Sequence, residues 1–208
     1  MITYKGLPAP VITDHLTREA SAQIYTSGTE FQIGKIEMVA NTGTYLDSPF
    51  HRYREGADLA GLDIYSLANL EGLVVRKVTS LVRGISVNAV EALDVRGKAV
   101  LFHTGWDMRW RTEGYSDGNH PFLTAQAAEY LAQAGAALVG IDSYNIDDTK
   151  DGTRPAHSIL LRQGIPIVEH LCGLGDLPDG DFKFFAVPVK VKGMGTFPVR
   201  AFGVIASP

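Results

Sequence analysis

Apolar positions along this chain follow two different periods. Short runs at 74–78, 99–102 and 137–141 are apolar and branched enough to read as interior strands. The run 182–191 alternates and then becomes continuous, with Pro188 marking an edge or a bulge, and 201–206 reads as a closing strand. A helical period occupies 123–134. Thr124 is its natural N-cap, alanines fill its body, Gly135 supplies a left-handed stop, and Ala127, Ala128, Leu131 and Ala134 form the stripe that faces the core. Ser86 caps a shorter predicted helix at 86–93. A third, at 158–163, is stopped by Gly164 and followed by a strand at 165–168. Interleaved strands and helices, with no repeat, low-complexity tract or linker, predict one α/β domain over residues 1–208. Residues 105–120 form a long irregular insertion with few apolar anchors, expected to shape a pocket.

Composition narrows the partners. The 208 residues are 45% hydrophobic and 20% charged, the balance of an ordered globular chain. A net charge of −4 provides no basic footprint, so neither nucleic acid nor an anionic membrane is an expected partner. No apolar run approaches the roughly 18 residues of a membrane span. The N-terminus lacks the apolar core of a signal peptide. Cys172 is the only cysteine, which leaves no intrachain disulfide and no thiolate cluster, and near Glu169 it is expected to be a buried structural thiol. A reducing, cytoplasmic setting is expected.

Chemistry concentrates at 41–51, where Asn41, Tyr45, Asp47 and His51 share one face if the chain is extended. Asp47 and His51 would then lie about 13 Å apart, so His51 joins Asp47 only if the chain bends, and Ser48-Pro49 is the place for it. The alternative is a hydrogen-bonded turn at a strand end. A second group lies at 155–169. A helix running one way and a strand returning can set Glu169 beside His157, half of a metal site; otherwise His157 caps the helix and Glu169 is solvated. Between them, 140–148 reads as a strand running into an acidic loop. Asp142 and Ser143 are expected to support a site from behind rather than to react.

Among the other histidines, His103 ends a predicted strand, His120 helps the turn into the 123–134 helix, His170 points away from Glu169, and His15 lies in an unpatterned stretch. Arg200 is expected to pair with a carboxylate.

Taken together these segments resemble the cyclase family of metal-dependent hydrolases, which includes bacterial kynurenine formamidase and isatin hydrolase. The family signature His-x-Gly-Thr-His-x-Asp-x-Pro-x-His appears here as Asn41-x-Gly43-Thr44-Tyr45-x-Asp47-x-Pro49-x-His51. His157 and Glu169 match the family's later histidine and glutamate, and 104–106, 140–143 and 198–201 are further family-like pieces, in order along most of the chain. The resemblance implies a compact α/β domain of the swivelling β/β/α type, in a dimer or tetramer. It also implies Asp47, His157 and Glu169 as ligands of one divalent metal ion and His51 as the proton carrier.

Asn41 and Tyr45 stand where the family has two histidines. They are possible ligands themselves, and an oxygen-rich set favours Mn²⁺ or Mg²⁺ over Zn²⁺; the alternative is a degenerate site with no metal. Two functions follow. One is hydrolysis of a small amide, cyclic amide or lactone, with Trp106 and Tyr144 walling the substrate. The other is a non-catalytic small-ligand binder in which Tyr45 fills the space of a lost metal.

Overall fold

The computed structural model describes residues 6–77 and 82–205; the first five residues and the predicted strand ends at Val78 and Ala206 lie outside them. An antiparallel hairpin comes first, made of β1 (Val11–Leu16) and, after α1 (Arg18–Ala22), β2 (Ile33–Glu37). Then follow β3 (Tyr45–Asp47), β4 (Leu70–Arg76), β5 (Gly84–Ile85), β6 (Ala99–His103), β7 (Phe122–Leu123), α2 (Ala125–Ala134) and β8 (Leu138–Ile141). The chain closes with α3 (Pro155–Arg162), β9 (Ile167–Glu169), β10 (Phe182–Phe185), β11 (Thr196–Pro198) and β12 (Phe202–Ile205).

Eight strands form a mixed sheet in the order β11-β3-β9-β8-β6-β4-β10-β12, while β5 and β7 make a small parallel pair. The central four strands, β9 to β4, are parallel, and the strands outside them on both sides are antiparallel. This is the expected α/β fold. The parallel centre is where the short apolar runs lie, because both of its faces are covered. On one face Val75, Val100, Phe102, Val139, Ile141 and Ile167 pack against Ala127, Ala128 and Leu131 of α2 and Leu160 of α3. On the other, Val74, Leu101, Leu138 and Val168 pack against Leu46, Leu171, Leu174, Phe182 and Phe184.

Helix α2 forms as its sequence dictates. The Thr124 hydroxyl accepts from the Ala127 amide, and Gly135 closes the helix at φ 82°. Other boundaries move. Leu123 belongs to β7, not to the helix. The predicted 86–93 helix is a single 3₁₀ turn, Val87–Ala89, whose cap Ser86 makes no side-chain bond. Val90 is fully buried and Ala89 and Leu93 pack on the core, but so short a segment does not sustain a helix. The predicted strand at 182–191 stops at Phe185, where pairing with β4 and β12 ends before Pro188. Helix α3 starts earlier than predicted, at Pro155, so His157 lies inside its first turn rather than capping it, and β9 runs to Glu169. The 105–120 insertion holds two 3₁₀ turns and is anchored by buried Trp106 and Tyr115. Cys172 is exposed, not buried, and Arg200 is exposed with no ion pair among the described residues.

Candidate metal centre and active site

Strand β3 brings the site together. It lies between β11 and β9, so Tyr45 pairs directly with Glu169, and Asp47 pairs with Thr196. After β3 the chain turns at Ser48 into a 3₁₀ turn, Pro49–His51, and His51 swings back until its Nδ1 is 3.5 Å from Asp47 Oδ1. The bend at Ser48-Pro49 therefore joins His51 to Asp47. Gly195 makes this approach possible, because a Cβ there would fall 2.4 Å from the His51 backbone nitrogen.

His157 enters from the first turn of α3. Its Nε2 lies 3.6 Å from Asp47 Oδ2 and 3.8 Å from Glu169 Oε1, with all three side chains almost fully buried. Ligand atoms of Asp47, His51 and His157 also lie within 4.8 Å of one another. The other ring nitrogen, Nδ1, is 2.6 Å from Asp147 Oδ2. Asp147 is fully buried and also accepts from the amides of Ala156 at 2.6 Å and His157 at 3.1 Å. It thus caps α3 and places the imidazole proton on Nδ1, leaving the Nε2 lone pair for a ligand. His120, fully buried, holds the Asp147 carbonyl through Nε2 at 2.9 Å.

The residues fit a divalent cation. Asp47 Oδ2 is buried with no hydrogen-bond partner, a costly arrangement unless a cation meets it. Burial opposes charge on His157, but Glu169, Asp147 and Asp47 outweigh it and push its pKa up to about 10. Burial raises the Glu169 carboxyl too; Asp47 adds to the rise, while His157 and the hydrogen bonds from Tyr45 and Ile146 offset part of it. The excess of carboxylates in this buried cluster drives the His157 shift and adds to the one that burial imposes on Glu169. A metal ion balances the same charge without protons.

Asn41 and Tyr45 are joined to Glu169 by hydrogen bonds. Burial, then the Glu169 and Asp47 charges, hold the Tyr45 phenol well above its ordinary pKa, so it stays neutral. Its hydroxyl donates to Glu169 Oε2 at 2.5 Å and is itself hydrogen-bonded by the Asn41 side chain. The pair forms a hydrogen-bonded chain ending on Glu169, the chemistry of a support rather than of a ligand. Glu169 Oε1 takes the Ile146 amide at 2.6 Å.

The cluster opens into a cavity of about 290 Å³ lined by Tyr144, Asn145, Arg52 and Arg154 among others. Trp106 is not part of that lining, and no residue of 105–120 is; Trp106 is buried elsewhere, with Nε1 donating to the Tyr115 carbonyl at 2.9 Å. The insertion instead backs the site with rings: Trp110 and Tyr115 pack on His170, which in turn contacts Tyr45 and Tyr144. His170 is buried in this cluster at φ 57°, since β9 ends at Glu169. Asp142 is spent on the Thr104–Gly105 turn, whose two amides and one hydroxyl it accepts. Ser143 donates to the Pro121 carbonyl at 2.6 Å. Neither is brought to the ligand cluster.

Two contributors escape a sequence reading. Asp147 was visible only as one of several acids in a loop. Thr196, at the far end of the chain, donates to Asp47 Oδ1 and meets His51 Nδ1 at 2.7 Å, with no local signal to mark it.

Fold and site together define an α/β protein with a carboxylate–imidazole metal centre at one edge of a parallel sheet. The Cyclase family model matches residues 8–148, and the chain belongs to that family. It is 32% identical over 178 residues to a kynurenine formamidase of Bacillus thuringiensis (strain Al Hakam), covering 81% of this chain and 78% of that one. A kynurenine formamidase of Bacillus cytotoxicus is 30% identical over 174 residues with the same coverage. Among solved structures, one described as a potential metal-dependent hydrolase with cyclase activity superposes with TM-score 0.73 at 25% identity, over 96% of this chain and 100% of that one. An isatin hydrolase bound to the product analogue thioisatinate has the same fold, with TM-score 0.80 at 21% identity over 98% and 84% of the two chains.

Proposed function

We propose that this chain is a metal-dependent hydrolase of C–N bonds in small amides or cyclic amides. The observation that carries the proposal is the convergence of Asp47 Oδ2, His157 Nε2 and Glu169 Oε1, with the Asp47 oxygen buried and otherwise unpartnered. These three residues would hold the ion, and Asp147, Tyr45 and Asn41 orient them. One imidazole and two carboxylates favour Mn²⁺ over Zn²⁺, with Mg²⁺ a further candidate. When bound, such an ion polarises a carbonyl and lowers the pKa of water.

His51 is the proton carrier. The Thr196 hydroxyl donates to Asp47, so its oxygen accepts from His51 Nδ1–H, and Nε2 is left as the base. His51 lines the cavity, where Nε2 takes a proton from the attacking water and returns it to the leaving nitrogen. Tyr144 contributes the aromatic wall.

The hairpin supports a homo-oligomer, in keeping with the family. Val11, Ile12, Ile33 and Ile36 are 56%, 73%, 50% and 49% exposed on a two-stranded sheet that joins no other among the described residues. A cytoplasmic setting suits an exposed single cysteine.

The test is turnover of formanilide, a lactone and a cyclic imide by protein loaded with Mn²⁺, Zn²⁺ or Co²⁺. Hydrolysis that a chelator abolishes and that His51→Ala cuts by two orders of magnitude or more is expected. No turnover with any ion, together with no bound metal after reconstitution, would refute the reading.

A further inference from the structure

The cavity that holds the candidate ligand cluster also holds two guanidinium groups outside any close ion pair among the described residues. Arg52 and Arg154 both line it, and neither forms an ion pair among the described residues. Arg52 directly follows His51, and its Nε donates to Ser158 Oγ at 3.2 Å, beside His157. Arg154 precedes α3 and donates from one terminal nitrogen to Asn145 Oδ1 at 2.7 Å. Asn145 in turn donates to Glu169 Oε2 at 3.3 Å, so the guanidinium is two hydrogen bonds from a ligand carboxylate. Each arginine is thereby aimed by one neutral hydrogen-bond partner, Arg52 also lying over the Tyr53 ring at 5.3 Å from its centroid, with most of its five N–H donors left for a ligand.

Arg154 also has a left-handed backbone, φ 50° and ψ 61°, which a glycine would adopt without strain. The rest of the lining argues in the same direction. Thr149, Asn145 and Asn41 are polar, Tyr144 contributes a ring, and no aliphatic side chain is present. Once a divalent ion balances Asp47 and Glu169, the two arginines leave the mouth of the cavity cationic. At about 290 Å³ the space is small for a ligand site.

We propose that the substrate is a small amide or cyclic amide carrying a carboxylate, and that Arg52 and Arg154 are the specificity-determining residues that bind it. The bidentate fork of arginine suits a carboxylate, and two such forks beside the ligand cluster orient the scissile carbonyl towards Asp47, His157 and Glu169. The catalytic half of this inference rests on the hydrolase reading; the anion site itself does not. Hydrolysis of such a substrate breaks the C–N bond and forms a C–O bond to water, one water proton going to nitrogen. The substrate carboxylate takes no part in the bond changes.

The test compares 2-formamidobenzoate with formanilide, which differ by that carboxylate, on Mn²⁺-loaded protein. Calorimetric binding of the product 2-aminobenzoate against aniline is measured alongside. The wild-type protein is expected to favour the carboxylate at least tenfold in kcat/KM and in affinity. R52Q and R154Q should each reduce that preference about tenfold, mainly through KM, with partial rescue by R52K and R154K. Arg162 is exposed and outside the cavity, so R162Q should leave the preference intact. Arg52 is also exposed, so R52Q keeps the comparison open even if R154Q disturbs α3. Equal turnover and equal binding of the paired compounds would overturn the anion site while leaving the hydrolase standing. Arginine-dependent binding of 2-aminobenzoate without turnover of either amide would support the anion site and count against the hydrolase. Binding that survives in both glutamine variants would overturn the assignment.

Discussion

Asp147→Asn isolates the role of a residue that touches neither substrate nor ion. Oδ1 of Asp147 accepts the Ala156 amide at 2.6 Å, and Oδ2 accepts the His157 amide at 3.1 Å and His157 Nδ1 at 2.6 Å. An asparagine has one oxygen for these three donors. If it faces Ala156, the new NH₂ meets the His157 amide and ring, and the imidazole proton is driven to Nε2, where it blocks metal binding. If it faces His157, the NH₂ meets the Ala156 amide at donor–donor distance. Either way a buried donor is left unsatisfied, at about 1–3 kcal/mol, roughly 2–4 °C of Tm per kcal/mol for a chain of this size. Loss of an orienting carboxylate also weakens metal binding by about 10- to 100-fold. Competition with a fluorescent chelator measures the affinity, and calorimetric melting of chelated protein measures the stability. Wild-type metal affinity in a folded D147N protein would show that Asp147 does not orient His157.

Three further outcomes are expected. Thr196→Val removes the hydroxyl between His51 and Asp47, so kcat should fall roughly tenfold or more with little change in KM, and an unchanged kcat argues against the relay. Tyr45→Phe deletes the 2.5 Å donor to Glu169 and should cost about 1–3 kcal/mol in chelated protein and weaken metal binding, whereas tighter binding would mean that the phenol crowds the ion. The stability of chelated protein, read as the urea midpoint against pH, should fall as pH rises from about 7 to 10. His157, held at about 10 by Glu169, Asp147 and Asp47, contributes stabilisation that is complete below about pH 6.5 and is lost as pH rises towards 10. Below pH 7 the shifts oppose: burial lowers the His170 pKa to about 4 and lowers that of His120, which costs stability as pH falls below about 6.5, while burial raises the Glu169 carboxyl to about 7, which adds stability as pH falls. A midpoint flat from about pH 7 to 10 would contradict the His157 shift.

Local pattern carried much of this protein. The short branched apolar runs at 74–75, 99–102 and 138–141 read as strands covered on both faces, and Thr124 and Gly135 bracket α2 through bonds made within a few residues. The spacing of Asp47, Pro49 and His51 carried the bend, because proline restricts the backbone on either side of itself. Where local pattern misled, at 86–93 the apolar face is buried through Val90 but the segment closes after one turn, and at 186–191 no strand pairs beyond Phe185 among the described residues. The family signature likewise singled out Asp47, His157 and Glu169 as candidate ligands without saying how they meet.

What the tertiary structure alone decided is the work of everything around those residues. Tyr45 lies opposite Glu169 because β3 pairs with β9 in one register, and a slip of one residue would turn it to the other face. Thr196 reaches Asp47 and His51 only because β11, about 150 residues on, pairs along β3's other edge. Trp106 is held away from the cavity by a carbonyl in its own loop, and Arg52 and Arg154 line that cavity from separate elements. Contacts between distant segments leave no periodic trace in either one, so the sequence singled out the candidate ligands and the sheet register decided what surrounds them.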